Sequence, residues 1–404
     1  MRKEWEVKKL GEVCDFQGGS QPPKSNFIYE PREGYVRFLQ IRDFGTDKNI
    51  TYIPESKKNR YCNEDDILLG RYGASVGKVL INKAGAYNVA VMKTIPNEGA
   101  LNKKYLFLYL VSNEFQDRLL KVSSRSAQDG FSKDDIYDFP ILLPSLREQQ
   151  HIVSILDEAF AAIATAKANA EQNLKNAKGL FESYLQGVFE NKGEGWEEKT
   201  LKEITSKIGS GATPRGGNES YKTEGISLIR SMNVHDLNFK QKNLAFIDEQ
   251  QAKELNNVTI QEDDVLLNIT GASVARCCII PNEYLPARVN QHVSIIRAKK
   301  EIVNPIFLCL LLTSKFYKDQ LLFTGEQGAT RQAITKAQLE VFRISLPSSL
   351  KEQESIIVKI DILSTETKKL EAIYQQKIAD LEELKKSILQ KAFSGELTNK
   401  LEVV

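Results

Sequence analysis

The 404-residue sequence predicts an α+β chain built twice over. Two α/β lobes are each followed by one long helix, the helices pair antiparallel as a coiled coil, and the duplicated halves are related by pseudo-twofold symmetry. Three observations predict this. EDDILLGRYGASVGKVLIN at 64–82 returns as EDDVLLNITGASVARCCII at 262–280, and a repeat of such long period organises the whole chain. Short β-rich runs (VRFLQI, DILLGRY, KVLIN, AVMKTI) alternate with Gly, Pro and Asn turns and one apolar helix, an α+β pattern. A stripe of apolar and small residues at helical spacing then comes after each lobe.

The elements repeat in order. WEVKKLGEV (5–13) becomes WEEKTLKEI (196–204), and Pro23-Lys24 becomes Pro214-Arg215, each closing a Gly/Ser-rich turn. RFLQIRDF (37–44) corresponds to SLIRSMNV (227–234), and AYNVAVMK (86–93) to RVNQHVSI (288–295), with Asn88 over Asn290. The GASVGK stretch invites a nucleotide-binding reading, an enzyme with this as its active loop, and the spacing argues against it. A phosphate-cradling loop needs four residues between its first Gly and the Gly-Lys pair, then a Ser or Thr. Here Gly73 and Gly77 enclose three, Val79 follows Lys78, and the second copy drops the Gly-Lys altogether.

LPSLREQQHIVSILD (143–157) matches LPSSLKEQESIIVKID (346–361), and from Glu148 and Glu352 onward the offset stays at 204 as far as Phe189 and Phe393. A frozen register means that length matters there. Ile152, Leu156, Ala159, Ile163, Ala166, Ala170, Ala177, Leu180, Tyr184 and Val188 follow a four-three alternation, as do Ile356, Ile360, Leu363, Thr367, Leu370, Tyr374, Leu381, Leu384, Ile388 and Ala392, so both segments read as helices sharing a coiled-coil seam. Forty-two residues of helix span about 63 Å. Proline after leucine suits the helix start, since it is tolerated in a first turn and not in the interior. The antiparallel pairing is expected to place Ile163 opposite Ile378 and Leu156 near Leu384 or Lys385, with Leu370 and Leu381 buried.

Composition bounds the rest. A net charge of +2 and a pI of about 8.1 confine any nucleic-acid surface to local patches. The five cysteines and three histidines show no metal-ligand spacing, so no metal site is expected. The stretch MRKEWEVKKLGE lacks the apolar core expected of a signal peptide, and the apolar runs YLFLYLV and IFLCLLL are too short to span a bilayer. A cytoplasmic protein is the expectation. Acid pairs such as Asp65-Asp66 and Asp134-Asp135 read as capping or strand-end groups.

This order of parts resembles the specificity subunit of type I restriction-modification systems over essentially all 404 residues. The resemblance rests on the paired Leu-Pro…Glu-Gln helix starts, the two EDD-LL-GASV segments, the W-x4-L openings, and GATRQAITKAQL ahead of the second helix. It implies target-recognition domains at 1–146 and 191–348, conserved helices at 147–190 and 349–397, and a tail at 398–404. It further implies a DNA-recognition role without catalytic residues or a cofactor of its own. The implied partners are double-stranded DNA, two modification subunits carrying S-adenosylmethionine, and a motor-nuclease restriction subunit. Each domain would read one half of a split site, with the helices as a ruler for the spacer. One departure is the turn SAQDGF (126–131), which lacks the Thr-Arg-Gln found at 330–332. The competing reading is a stand-alone DNA-binding regulator or protein scaffold built by tandem duplication.

Phosphates are held by Lys, Arg and small polar side chains, and bases are read by Arg, Asn and Gln, from turns where binding groups concentrate. In the first lobe the candidates are Lys24, Lys57, Lys58, Arg60, Arg71, Tyr72, Ser75, Lys78, Ser123, Ser124, Arg125 and Gln128. In the second they are Arg215, Asn218, Arg230, Asn233, Thr270, Arg276, Asn290, Gln291, Thr330, Arg331 and Gln332. Asn88 and Asn290, kept by both halves, equally suit structural caps.

Overall fold

A computed structural model describes residues 5–124, 130–326 and 332–397. The chain forms two compact units, Met1–Ala170 with Gln376–Val404, and Glu171–Gln375, so the division cuts both long helices and leaves each unit one lobe and part of each helix.

In the first lobe, Leu68–Gly70 lies inside an antiparallel sheet ordered Cys14–Gly18, Val91–Pro96, Leu68–Gly70, Val79–Leu80. A second sheet is ordered Tyr52–Pro54, Tyr35–Leu39, Gly85–Tyr87, Tyr61–Cys62. The second lobe repeats the plan: Thr205–Ser210, Val293–Ala298, Val265–Asn268 and Cys277–Ile279 form one sheet, and Ala245–Ile247, Ile226–Ile229 and Ala287–Val289 another. Val265–Asn268 is buried along its whole length, which is why its first three residues are apolar without alternation. The acids ahead of these strands are structural. Asp66 accepts from the Asn63 amide at 2.8 Å and from Lys93 at 3.0 Å, while Asp264, almost wholly buried, accepts both nitrogens of a bidentate Arg297 at 2.8 and 2.7 Å. Asp135 closes a capping box with Ser132. The GASVGK stretch is a short 3-10 turn at Gly73–Ser75 leading into a strand at Val79, with no helix after it to receive a phosphate. All five cysteines are buried free thiols. Burial pushes Cys62 up to about 11, and Cys14 and Cys278 up to about 12, so none of these three is poised as a nucleophile.

The long helices run from Leu146 to Glu190 and from Leu350 to Phe393. Their starts share one device. Gln149, fully buried, donates to the carbonyls of Ala100 and Pro144, both at 2.9 Å, and accepts from the Asn102 amide at 2.8 Å. Gln353, equally buried, does the same with Ile302, Pro347 and Asn304 at 3.1, 2.9 and 2.8 Å. Asn102 and Asn304 are themselves the N-caps of lobe helices Lys103–Leu110 and Pro305–Thr313. One amide therefore ties each long helix to the lobe before it.

Within the first unit, Ile152 and Leu156 from the start of one helix share a core with Leu389, Ala392 and Phe393 from the end of the other, so the helices are antiparallel there. The Phe393 ring packs against Tyr105 and Tyr109, centroids 5.0 and 5.7 Å apart. Within the second unit, Leu185 and Phe189 share a core with Ile360, and Phe189 packs on Phe307 at 5.4 Å. The Lys385 ammonium caps the Phe160 ring across the antiparallel pair, 5.1 Å from its centre. Leu180, Tyr184, Leu370 and Leu384 are exposed, and the last turns of the first helix instead bury Leu185 and Phe189, because there the helix leans on the second lobe. Phe189→Ala should therefore cost about 3 to 5 kcal/mol, and Leu370→Ala less than about 1 kcal/mol, in a denaturant titration.

Candidate nucleic-acid interface

In each lobe the same loops converge on one rim. In the first lobe Gly19 and Ser20 donate to the carbonyls of Val91 and Tyr87, the Arg60 amide donates to the Ser20 hydroxyl, Arg71 donates to Ala90, and Tyr72 bridges Gly130. In the second lobe Gly211 donates to Asn290, Ile269 to His292, Gly271 to Gln332, and Thr270 bridges Ala333. The approach is close enough to demand glycine: a Cβ on Gly19 would lie 2.0 Å from the Asn88 oxygen, and one on Gly211 1.8 Å from the Val289 oxygen.

The candidate side chains divide by what already holds them. Lys24, Lys57, Lys58, Arg60, Lys78 and Arg215 are exposed and Arg276 half-buried. None of the seven forms an ion pair among the described residues. Basic residues elsewhere in the lobes, such as Lys103, Arg297 and Lys300, are tied to Asp65, Asp264 and Asp263. Unpaired cations at loop tips can neutralise phosphates with no internal pair to break.

Arg71 and Arg230 are placed otherwise. Arg71 donates to the carbonyls of Phe131 and Val89 at 3.2 and 3.4 Å and stacks on Tyr72, 5.0 Å from the ring centre. Arg230 donates to the Asn243 carbonyl and stacks on Tyr221 at 5.2 Å. Both brace loops, and the exposed face of Tyr72 is what the first rim offers. Three candidates are buried and already bonded to backbone. Asn233 is fully buried, accepting from the Arg230 amide and donating to the carbonyls of Lys240 and Lys242. Asn290 is buried and caps the His292 amide at 3.0 Å, as Asn88 caps Ala90 at 3.2 Å. Ser123 is buried and donates to Leu120. Short polar side chains in turns satisfy backbone first, and sequence alone does not reveal which do.

Ser124 is exposed, Ser75 and Thr270 are half-buried, and Gln332 is exposed with its amide on Glu326. Arg125, Gln128, Thr330 and Arg331 lie outside the described residues, as does the side chain of Asn218. Sequence reasoning missed Thr213 and His292, which join Gln291 and Thr270 in one polar chain: Thr213 to Gln291, Gln291 to His292 at 3.2 Å, His292 to Thr270. The available signal was that Gln-His comes after the shared Asn290 where Val-Ala comes after Asn88. The two rims thus present different chemistry on one scaffold, an exposed Tyr72 and Val89 in the first and a polar chain in the second.

Among the described residues, no helix is long and apolar enough to cross a membrane, and no group of three or more His, Cys, Asp or Glu is placed to hold a metal ion.

Comparison with known proteins adds the family. The type I restriction modification DNA specificity domain matches twice, at residues 2–176 and 193–383. The chain is similar to the type I restriction enzyme MjaVIII specificity subunit of Methanocaldococcus jannaschii, 24% identical over 413 residues, covering 98% of this chain and 93% of that protein. It is also similar to the EcoBI specificity subunit of Escherichia coli, 24% identical over 430 residues, covering 98% and 86%. In fold it resembles the HsdS subunit from Thermoanaerobacter tengcongensis, with a TM-score of 0.65, 19% identity and 98% of both chains covered. A chain from a structural study of assembly and conformational transition in a type I R-M system gives a TM-score of 0.75 at 19% identity, covering 98% and 99%. The chain belongs to the type I restriction-modification DNA specificity family, with one copy of the family's domain for each lobe.

Proposed function

We propose that this chain is the DNA-recognition subunit of a type I restriction-modification complex in the cytoplasm. Each lobe reads one half of a split target, and the long helices set the spacer and receive two modification subunits carrying S-adenosylmethionine. A restriction subunit supplies translocation and cleavage, and this chain itself catalyses nothing. The observation that carries the reading is the duplication: the specificity domain occurs twice, and each copy builds the same rim of converging loops with different side chains on it. Lys24, Lys57, Lys58, Arg60, Lys78, Arg215 and Arg276 hold phosphates in this reading, while Tyr72, Thr270, Gln291 and Gln332 face base edges. The net charge of +2 limits how many phosphates the isolated chain neutralises, so its own DNA binding is weak and salt-sensitive, each contact adding about 0.9 to the slope of log affinity on log salt.

The test is omission and add-back. Purified modification subunits should methylate specific DNA only when this chain is added, and the chain alone should transfer no methyl group. Methyl transfer by the chain alone, or tight site-specific binding without partners, would contradict the reading.

A further inference from the structure

The lobes diverge at one spot where their scaffold is the same. Asn88 and Asn290 close the same turn with the same side-chain bond. The next two residues are Val89-Ala90 in one lobe and Gln291-His292 in the other. Gln291 is exposed at the rim, yet its amide is held from both ends: the Thr213 hydroxyl contacts Oε1, and Nε2 lies 3.2 Å from His292 Nε2. With Nε2 of the ring accepting, the imidazole proton sits on Nδ1, directed at the Thr270 hydroxyl.

A primary amide has two donor hydrogens and two acceptor lone pairs. The chain of contacts uses one of each, whichever way round the amide lies, and no other side-chain bond of Gln291 exists among the described residues. One donor and one acceptor of the amide therefore remain uncommitted. Of the four bases, adenine presents the complementary pair in the major groove, an N6 donor beside an N7 acceptor, the edge that glutamine reads bidentately. We propose, building on the reading of this chain as a DNA specificity subunit, that Gln291 reads an adenine in the half-site of the second lobe, with Thr213 and His292 as positioning residues that set its amide. The first lobe, with Pro22, Val89, Ala90 and Tyr72 in these places, cannot build such a reader and recognises its half-site by other means.

Single-molecule methylation mapping in a host carrying the full complex tests this. The native complex should show a bipartite site with adenine required at one position of one half-site; the absence of any bipartite site would defeat the functional reading itself. Gln291→Ala should lower discrimination at that one position roughly tenfold to hundredfold and leave the other half-site unchanged. Gln291→Glu, similar in shape and exposed, keeps acceptors and loses donors, so its preference should move from adenine toward cytosine, whose N4 donates. His292→Ala should weaken the adenine preference at the same position without changing the base, whereas a purely structural role would weaken all sequences alike. A Gln291→Glu complex that melts like the native one and keeps its base preference overturns the proposal, as does an equal loss across all sequences, which would mark a phosphate contact.

Discussion

Replacing Gln353 by leucine is expected to destabilise the protein by about 3 to 5 kcal/mol, far more than a typical surface change. Leucine fills a similar space but leaves the Asn304 amide and the carbonyls of Ile302 and Pro347 buried without partners. Each orphaned group costs about 1 to 3 kcal/mol, and partial relaxation keeps the total below the largest sum. Gln149→Leu should behave alike, since it strands Asn102, Ala100 and Pro144. Urea unfolding of both variants checks this. A loss below about 1 kcal/mol in each would show that the amide is dispensable and that apolar packing alone holds each helix to its lobe.

Lengthening both long helices should lengthen the spacer of the DNA site. An insertion just after Phe189 would not test this, because Phe189 and Trp196 are packed in the core of the second lobe, 6.3 Å apart, and separating them would break that core. Gln172 and Gln376 are exposed and occupy equivalent places in the two repeats, so four helical residues inserted after each extend both helices together. Four residues add about 6 Å and turn the chain by roughly 40° beyond a full circle. One DNA base pair adds about 3.4 Å and rotates the next site by about 35°. The spacer should grow by one to two base pairs with both half-sites unchanged. An unchanged spacer would make the helices a docking surface that does not measure DNA.

The duplication, the antiparallel helices and the structural role of the acidic pairs were legible because each depends on repeated local pattern. What sequence could not show was where side chains spend their hydrogen bonds. Gln149 and Gln353 stood out in the sequence only as members of the paired Glu-Gln helix starts, since their burial arises only when a lobe helix packs over them. Arg71 and Arg230 have the residue type of DNA contacts, yet their guanidinium groups turn inward to backbone carbonyls and an aromatic face. Asn233 has the residue type of a base reader and the burial of a brace. His292 and Thr213 were invisible because their partners, Gln291 and Thr270, are brought beside them only by folding: Thr213 and Gln291 are separated by 78 residues, Thr270 and His292 by 22.

The most direct measurement is methylation mapping of a host that lacks other adenine methyltransferases and carries this chain with its modification subunits, compared with the same host carrying the modification subunits alone. One motif of two short specific half-sites separated by a spacer of fixed length and free sequence is expected, modified only when the chain is present. A contiguous motif, or the same modification pattern without the chain, would contradict it.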